Sequence, residues 1–216
     1  MYLEDVDYID PKSCIVTNNI KTELSYRSLV MRAFLLVVCL TFSNIILAQE
    51  SPVIEIETTM GNIKVELRPD LTPVTVENFL RYIDNNYYDG LIFHRVISGF
   101  MIQGGGFDAN MVQKSTYDPI KNEADTGISN ARGTISMART NVVDSATSQF
   151  FINLVNNGNL DHRNTSASGY GYTAFGNVIE GLDVIDQIAG VATGSERGYS
   201  DVPLEPVTII SVKRSE

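Results

Sequence analysis

The sequence predicts a mainly β architecture, a closed or nearly closed antiparallel barrel of eight strands with two helices. Three observations carry that expectation. Eight short β-prone runs fall between residues 53 and 212, separated by Gly, Asn and Asp clusters. Only two stretches have helical periodicity, and they do not alternate with the strands as regular crossovers would, which argues against a doubly wound parallel sheet. Closure removes the unpaired edges that a set of short strands would otherwise expose.

In chain order, Val53–Thr58 and 62–67 alternate apolar and polar residues, and Thr59-Met60-Gly61 between them reads as the turn of a hairpin. A helix follows, with Thr72 as its cap, Pro73 at its first position and Val76, Phe79, Leu80 and Ile83 spaced along one face. Asn85, Asn86 and Gly90 end it. Further strands are expected at Leu91–Ile97, 101–103, Thr134–Met137, 149–154, 173–178 and 207–212. A second helix, Leu182–Ala189, places Leu182, Ile185 and Ile188 on one face.

Residues 1–48 stand apart from this pattern. The apolar stretch 33–47 follows Met31 and Arg32 and precedes Ala48-Gln49-Glu50, the layout of a secretory signal. It is short for a membrane span of about 20 residues. Ile46 is larger than the small residue usual before a cleavage site, which keeps an uncleaved anchor as the alternative. Residues 1–30 read as a mis-assigned leader ahead of a start at Met31, or as a tail before an anchor, and 49–216 read as one domain. Both cysteines, Cys14 and Cys39, lie in the excluded segment, so a mature chain from residue 49 has no thiol for a disulfide, a nucleophile or a cysteine-zinc site.

Composition narrows function. A formal net charge of −10 with no basic run sets aside nucleic acid and anionic membrane surfaces, both of which require clustered Lys and Arg. With 44% hydrophobic residues the chain has material for a sizeable core. No Gly-x-Ser-x-Gly elbow is present. The only histidines, His94 and His162, are far apart in sequence and do not form a metal pattern. His94 reads as a structural, hydrogen-bonded side chain whose charged form is disfavoured by Arg95 next to it. Gly104-Gly105-Gly106 is not followed by the Lys-Ser/Thr pair of a phosphate loop and reads as a tight turn.

Three segments remain chemically unusual: FHRVISGFMIQGGGF (93–107), GTISMAR (133–139) and SATSQFFINL (145–154). A strand-borne arginine among apolar residues is costly unless its charge is solvated or used. These segments, followed by NLDH (159–162) and GYTAFGNVIEGLDVID (171–186), resemble the cyclophilin family, especially its bacterial exported members. The resemblance spans essentially all of 53–212.

The resemblance implies a fold, an activity and a site. The fold is an eight-stranded antiparallel barrel with a helix over each open end, and the activity is peptidyl-prolyl cis-trans isomerisation without metal or cofactor. Arg95 takes the family's main catalytic position. Phe100 and Met101 fall on the floor of the proline pocket, and Gln103 on the contact to the substrate backbone. Ala138, Gln149, Phe151 and Leu160 also match site positions, and Tyr172 stands where a His is frequent. Arg139 occupies a position often held by Asn, either biasing the rim toward acidic peptides or serving as an exposed loop charge. Asn159 replaces an aromatic residue that in the family helps bind cyclosporin, so weak cyclosporin binding is expected. The implied partners are proline-containing unfolded or partly folded polypeptides, met by a monomer in the periplasm of a Gram-negative bacterium.

Overall fold

All eight expected strands form, in one antiparallel sheet whose two edges meet. The structure, a computed structural model, describes residues 51–215; the leader, the apolar stretch 33–47 and its cleavage site lie outside the described residues. In chain order the elements are β1 (Val53–Thr58), β2 (Gly61–Leu67), α1 (Pro73–Asp84), β3 (Leu91–Ile97), β4 (Met101–Asp108), β5 (Thr134–Met137), β6 (Phe150–Asn153) and β7 (Ala174–Glu180). They continue with α2 (Leu182–Ala189), β8 (Thr193–Glu196), β9 (Tyr199–Pro203) and β10 (Ile209–Arg214). The main sheet runs β10-β1-β2-β7-β5-β6-β4-β3. Its edges join through Gly90 N–H to Ile209 O (2.9 Å), Phe93 N–H to Val207 O (2.9 Å) and a bridge between Ile92 and Thr208. That seam satisfies backbone groups that an open edge would expose.

Alternation supplies the core. Ile54 and Ile56 of β1, Ile63 and Val65 of β2, and Ile102, Ile135 and Ile152 of the next strands are all fully buried, as a one-sided period-2 pattern requires. α1 sets Phe79 against Tyr88, Phe150 and Phe175 at centroid distances of 5.1, 5.5 and 5.1 Å. Such aromatic contacts add stabilisation beyond the area they bury.

The start of α1 differs from expectation. Thr72 makes no side-chain cap; its hydroxyl donates to Arg68 O instead. The helix is capped from a distance of 49 and 48 residues by Glu123, whose carboxylate accepts from Val74 N–H (3.1 Å), Thr75 N–H (2.8 Å) and the Thr75 hydroxyl (2.7 Å). A buried carboxylate serves better there than a neutral hydroxyl, because it meets both the free N–H groups and the positive end of the helix dipole. In α2 the buried face is Val184, Ile185 and Ile188, whereas Leu182 is exposed.

Two other expectations are corrected. Gly104, Gly105 and Gly106 lie within β4 rather than in a turn. They are small because of what crosses them: a Cβ on Gly105 would meet Phe150 and Tyr88 at 2.9 Å, and one on Gly106 would meet Gln149 at 2.6 Å. Gly105 also has φ +80°, a backbone that glycine adopts without strain. The β8–β9 hairpin, a separate two-stranded sheet, has no counterpart among the expected strands. Its sequence, rich in Gly, Ser and charge, lacks the alternation that marks a half-buried strand.

Candidate active site

A β-bulge decides where Arg95 points. Along the β3–β4 pair, Phe93 opposes Gly104 and Arg95 opposes Gln103, so His94 is an extra residue on β3. Residues two apart normally share a face, and Phe93 is in the core. The bulge breaks that rule: Val96 joins Phe93 in the core, and Arg95 turns outward, its side chain 44% exposed. The charge is thereby solvated without leaving the strand.

Register then lines up a row across the outside of the sheet. Arg95 opposes Gln103, Gln103 opposes Phe151, and Phe151 opposes Ser136. Arg95, Phe100, Met101, Gln103, Ala138, Arg139, Phe151, Leu160 and Tyr172 line one open cavity of about 300 Å³. Gln149 lies just before β6 and lines an adjoining cavity of about 190 Å³, sharing Gln103, Ala138 and Arg139 with the first. Its side-chain oxygen accepts from Gln103 Nε2 at 3.0 Å, which fixes the orientation of that amide.

The structure settles the setting of Arg139. Its Nε donates to Gly171 O, Nη1 to Thr140 O and Nη2 to Ala167 O, each at 2.9 Å, and its Cζ stands 4.7 Å from the Tyr172 ring centre. Three of the five guanidinium N–H donors are thus taken by these carbonyls, and the side chain still lines the cavity. It clamps the loop before β7 and holds Tyr172, which in turn meets Phe151 edge-on at 5.8 Å.

Behind the cavity runs a polar network that residue spacing does not reveal. The Asn157 amide donates to Phe100 O (2.9 Å) and to Asn153 Oδ1 (2.8 Å), and Asn153 Nδ2 reaches Thr134 Oγ1 (2.9 Å) and Ser136 Oγ (3.2 Å). The Ser136 hydroxyl donates to Asn130 Oδ1 at 2.8 Å. Asp161, next to Leu160, accepts from Asn130 N–H and Ser129 Oγ, both at 2.7 Å. Burial pushes the Asp161 carboxyl up, but these donors outweigh it and leave the group below its ordinary value. Phe100 and Leu160, which line the cavity from separate loops, are thus tied to one scaffold. The clue in the sequence is an excess of Asn on apolar strands and turns, a buried amide being costly unless bonded.

His94 is buried as a structural side chain, but its Nδ1 has no hydrogen-bond partner among the described residues. The ring packs on Phe107 at 4.7 Å. Burial first, then the Arg95 charge beside it, lower its pKa to about 4. His162 bonds Tyr170 O through Nδ1 at 2.8 Å and serves its loop. Asp201 of β9, absent from the sequence reading, pairs with Arg95 at 3.7 Å.

A barrel with this strand order, carrying on its outer face a cavity where a guanidinium and an amide meet the side chains of Phe100, Met101, Phe151 and Leu160, is of the peptidyl-prolyl isomerase class that the sequence motifs resemble. The profile of the cyclophilin type peptidyl-prolyl cis-trans isomerase/CLD family matches residues 53–214. A peptidyl-prolyl cis-trans isomerase of Streptomyces antibioticus is 56% identical over 160 residues, spanning 74% of this chain and 96% of the relative. Peptidyl-prolyl cis-trans isomerase B of Escherichia coli K12 is 52% identical over 159 residues, spanning 74% and 97%. A cyclophilin type isomerase of Cryptosporidium parvum, crystallised in the presence of the dipeptide Ala-Pro, superposes with a TM-score of 0.62 at 25% identity, covering 76% of this chain and 99% of that one. The chain belongs to the cyclophilin-type peptidyl-prolyl cis-trans isomerases, and it is an enzyme of that activity.

Proposed function

We propose that this isomerase acts on proline-containing segments of exported polypeptides, with Arg95 as its catalytic residue. The observation that carries the mechanism is the single cavity in which Arg95 adjoins Phe100, Met101, Gln103, Phe151 and Leu160. Rotation about X-Pro meets a barrier of about 18–20 kcal/mol from amide resonance. No bond is made or broken, so catalysis consists of binding the twisted amide better than either planar form.

In the twisted amide the prolyl nitrogen regains a lone pair and becomes an acceptor. The Arg95 guanidinium, a fork of N–H donors with no acceptor of its own, donates to it. Phe100, Met101, Phe151 and Leu160 hold the proline ring, while Gln103, braced by Gln149, holds the peptide backbone so that the preceding carbonyl swings. Recognition of prolyl peptides by this fold is supported by the relative crystallised in the presence of Ala-Pro.

Isomerisation of a short X-Pro peptide tests the assignment. Arg95→Ala is expected to lower turnover by about one order of magnitude or more, roughly 1.4 kcal/mol per tenfold, with the fold intact. Arg95→Lys recovers part of it, because an ammonium lacks the planar fork. Turnover near wild type in Arg95→Ala would remove Arg95 from the mechanism. Cyclosporin inhibits weakly in the same assay, because Asn159 is a small exposed polar residue on the turn Gly158–Leu160; tight inhibition would overturn that reading. The enzyme works as a monomer in the periplasm, delivered by the signal in residues 31–48, or else is held at the membrane through residues 33–47.

A further inference from the structure

The geometry points to Asp201 as a positioning residue that orients the Arg95 guanidinium, delivered by a hairpin that the barrel itself does not require. The inference rests on the assignment of Arg95 as catalytic. The β8–β9 hairpin forms its own sheet and takes no part in the barrel order. Within it, Gly194 opposes Val202 and Glu196 opposes Tyr199. Ser200 and Asp201 therefore stand against Ser195 alone, the two-against-one arrangement of a β-bulge. Asp201 has φ +62°, a conformation uncommon outside glycine and tolerated by Asp and Asn.

The bulge re-aims a carboxylate at the cavity. Asp201 Oδ2 lies 3.7 Å from Nε of Arg95, with the two side chains 42% and 44% exposed. That distance is too long for a hydrogen bond, so the attraction acts through charge. It falls on Nε, the inner nitrogen of the fork. Nη1 and Nη2, the outer donors, remain for substrate. Arginine is a flexible side chain with much rotamer freedom, and a counter-charge on one side narrows the orientations it samples.

The hairpin is fastened firmly enough to do this. Val202, the residue after Asp201, is buried in a small cluster with Ile92, Phe107 and Met111. Tyr199 meets Phe107 at 5.1 Å, and Phe107 covers the buried ring of His94 at 4.7 Å. The bulge of β3 that turns Arg95 outward and the bulge of β9 that turns Asp201 toward it are packed on the same cluster.

The test compares the full chain with Asp201→Asn, Arg95→Ala and the double variant in the peptide isomerisation assay. Asparagine keeps the shape and the left-handed backbone and removes the charge; Asp201→Gly serves as a second variant that also accepts φ +62°. Asp201→Asn is expected to lower kcat about two- to fivefold, the range an exposed ion pair supports, with KM little changed. The loss shrinks at 1 M salt, where screening extends over only about 3 Å. In the Arg95→Ala background Asn at 201 changes the residual rate by nothing measurable. Wild-type kcat in Asp201→Asn and Asp201→Gly, with Arg95→Ala inactive, overturns the role of Asp201 and leaves Arg95 in place. An equal loss in both backgrounds overturns it too, since Asp201 would then act on the fold rather than through Arg95. Near wild-type turnover in Arg95→Ala instead overturns the parent assignment.

Discussion

His94 sits next to Arg95, is 5% exposed, and titrates near pH 4 because burial penalises its cation and Arg95 adds to the penalty. In the unfolded chain a histidine titrates near 6.5. The neutral ring therefore contributes stability that is complete above about pH 6.5 and is lost as pH falls toward 4, up to about 3 kcal/mol across that window. Urea unfolding of wild type and His94→Phe at pH 7 and pH 4.5 checks this: the phenyl variant should lose distinctly less stability on acidification. Equal losses would mean that other groups carry the acid sensitivity. Turnover should not follow the same curve, because the His94 ring is buried on Phe107 and is not among the residues that line the cavity. At the same scale Arg139 shows why a residue's type does not give its role. Its place in the motif was legible, but its engagement with the carbonyls of Gly171 and Ala167 depends on a loop 32 and 28 residues away.

At the level of elements, α1 illustrates capping across the fold. Thr72 and Pro73 have the right types for a helix start, yet the N–H groups of Val74 and Thr75 are satisfied by Glu123. Removing a helix cap costs about 0.5–2 kcal/mol, and stranding buried donors adds to it. Glu123→Ala is therefore expected to destabilise the protein by about 2–3 kcal/mol in denaturant titration, with the peptide still turned over at temperatures where the chain is folded. A loss below about 0.5 kcal/mol would show that Glu123 is not what holds the helix start. The two β-bulges belong to this scale as well. An extra residue in β3 and another in β9 aim Arg95 and Asp201, and neither bulge can be read from alternation, which they interrupt.

For the whole molecule, closure of the barrel fixes the distances between site residues that lie 65 positions apart in the chain, Arg95 and Leu160 among them. Pairing sets that geometry: β4 lies between β3 and β6, and β6 between β4 and β5. Whether the enzyme meets its substrates outside the cytoplasm is a question for the full chain. N-terminal sequencing of protein recovered from the periplasm is expected to begin at Gln49; recovery only in membranes, with residues 33–47 retained, would establish the anchored form instead.

The sequence by itself determined the fold class, the eight barrel strands and both helices, and its motif segments named the candidate site positions through their resemblance to the cyclophilins. For the elements the reason is physical: alternation and helical spacing record which face of each one is buried. Only the tertiary structure decided the remote cap at Glu123, the Asn157–Asn153–Ser136 network behind the cavity, the clamp at Arg139 and the approach of Asp201 to Arg95. Each of these joins polar groups from distant parts of the chain. Polar pairing leaves no period in a sequence, because one bond between two distant residues can be satisfied in many ways until the apolar core has placed both partners.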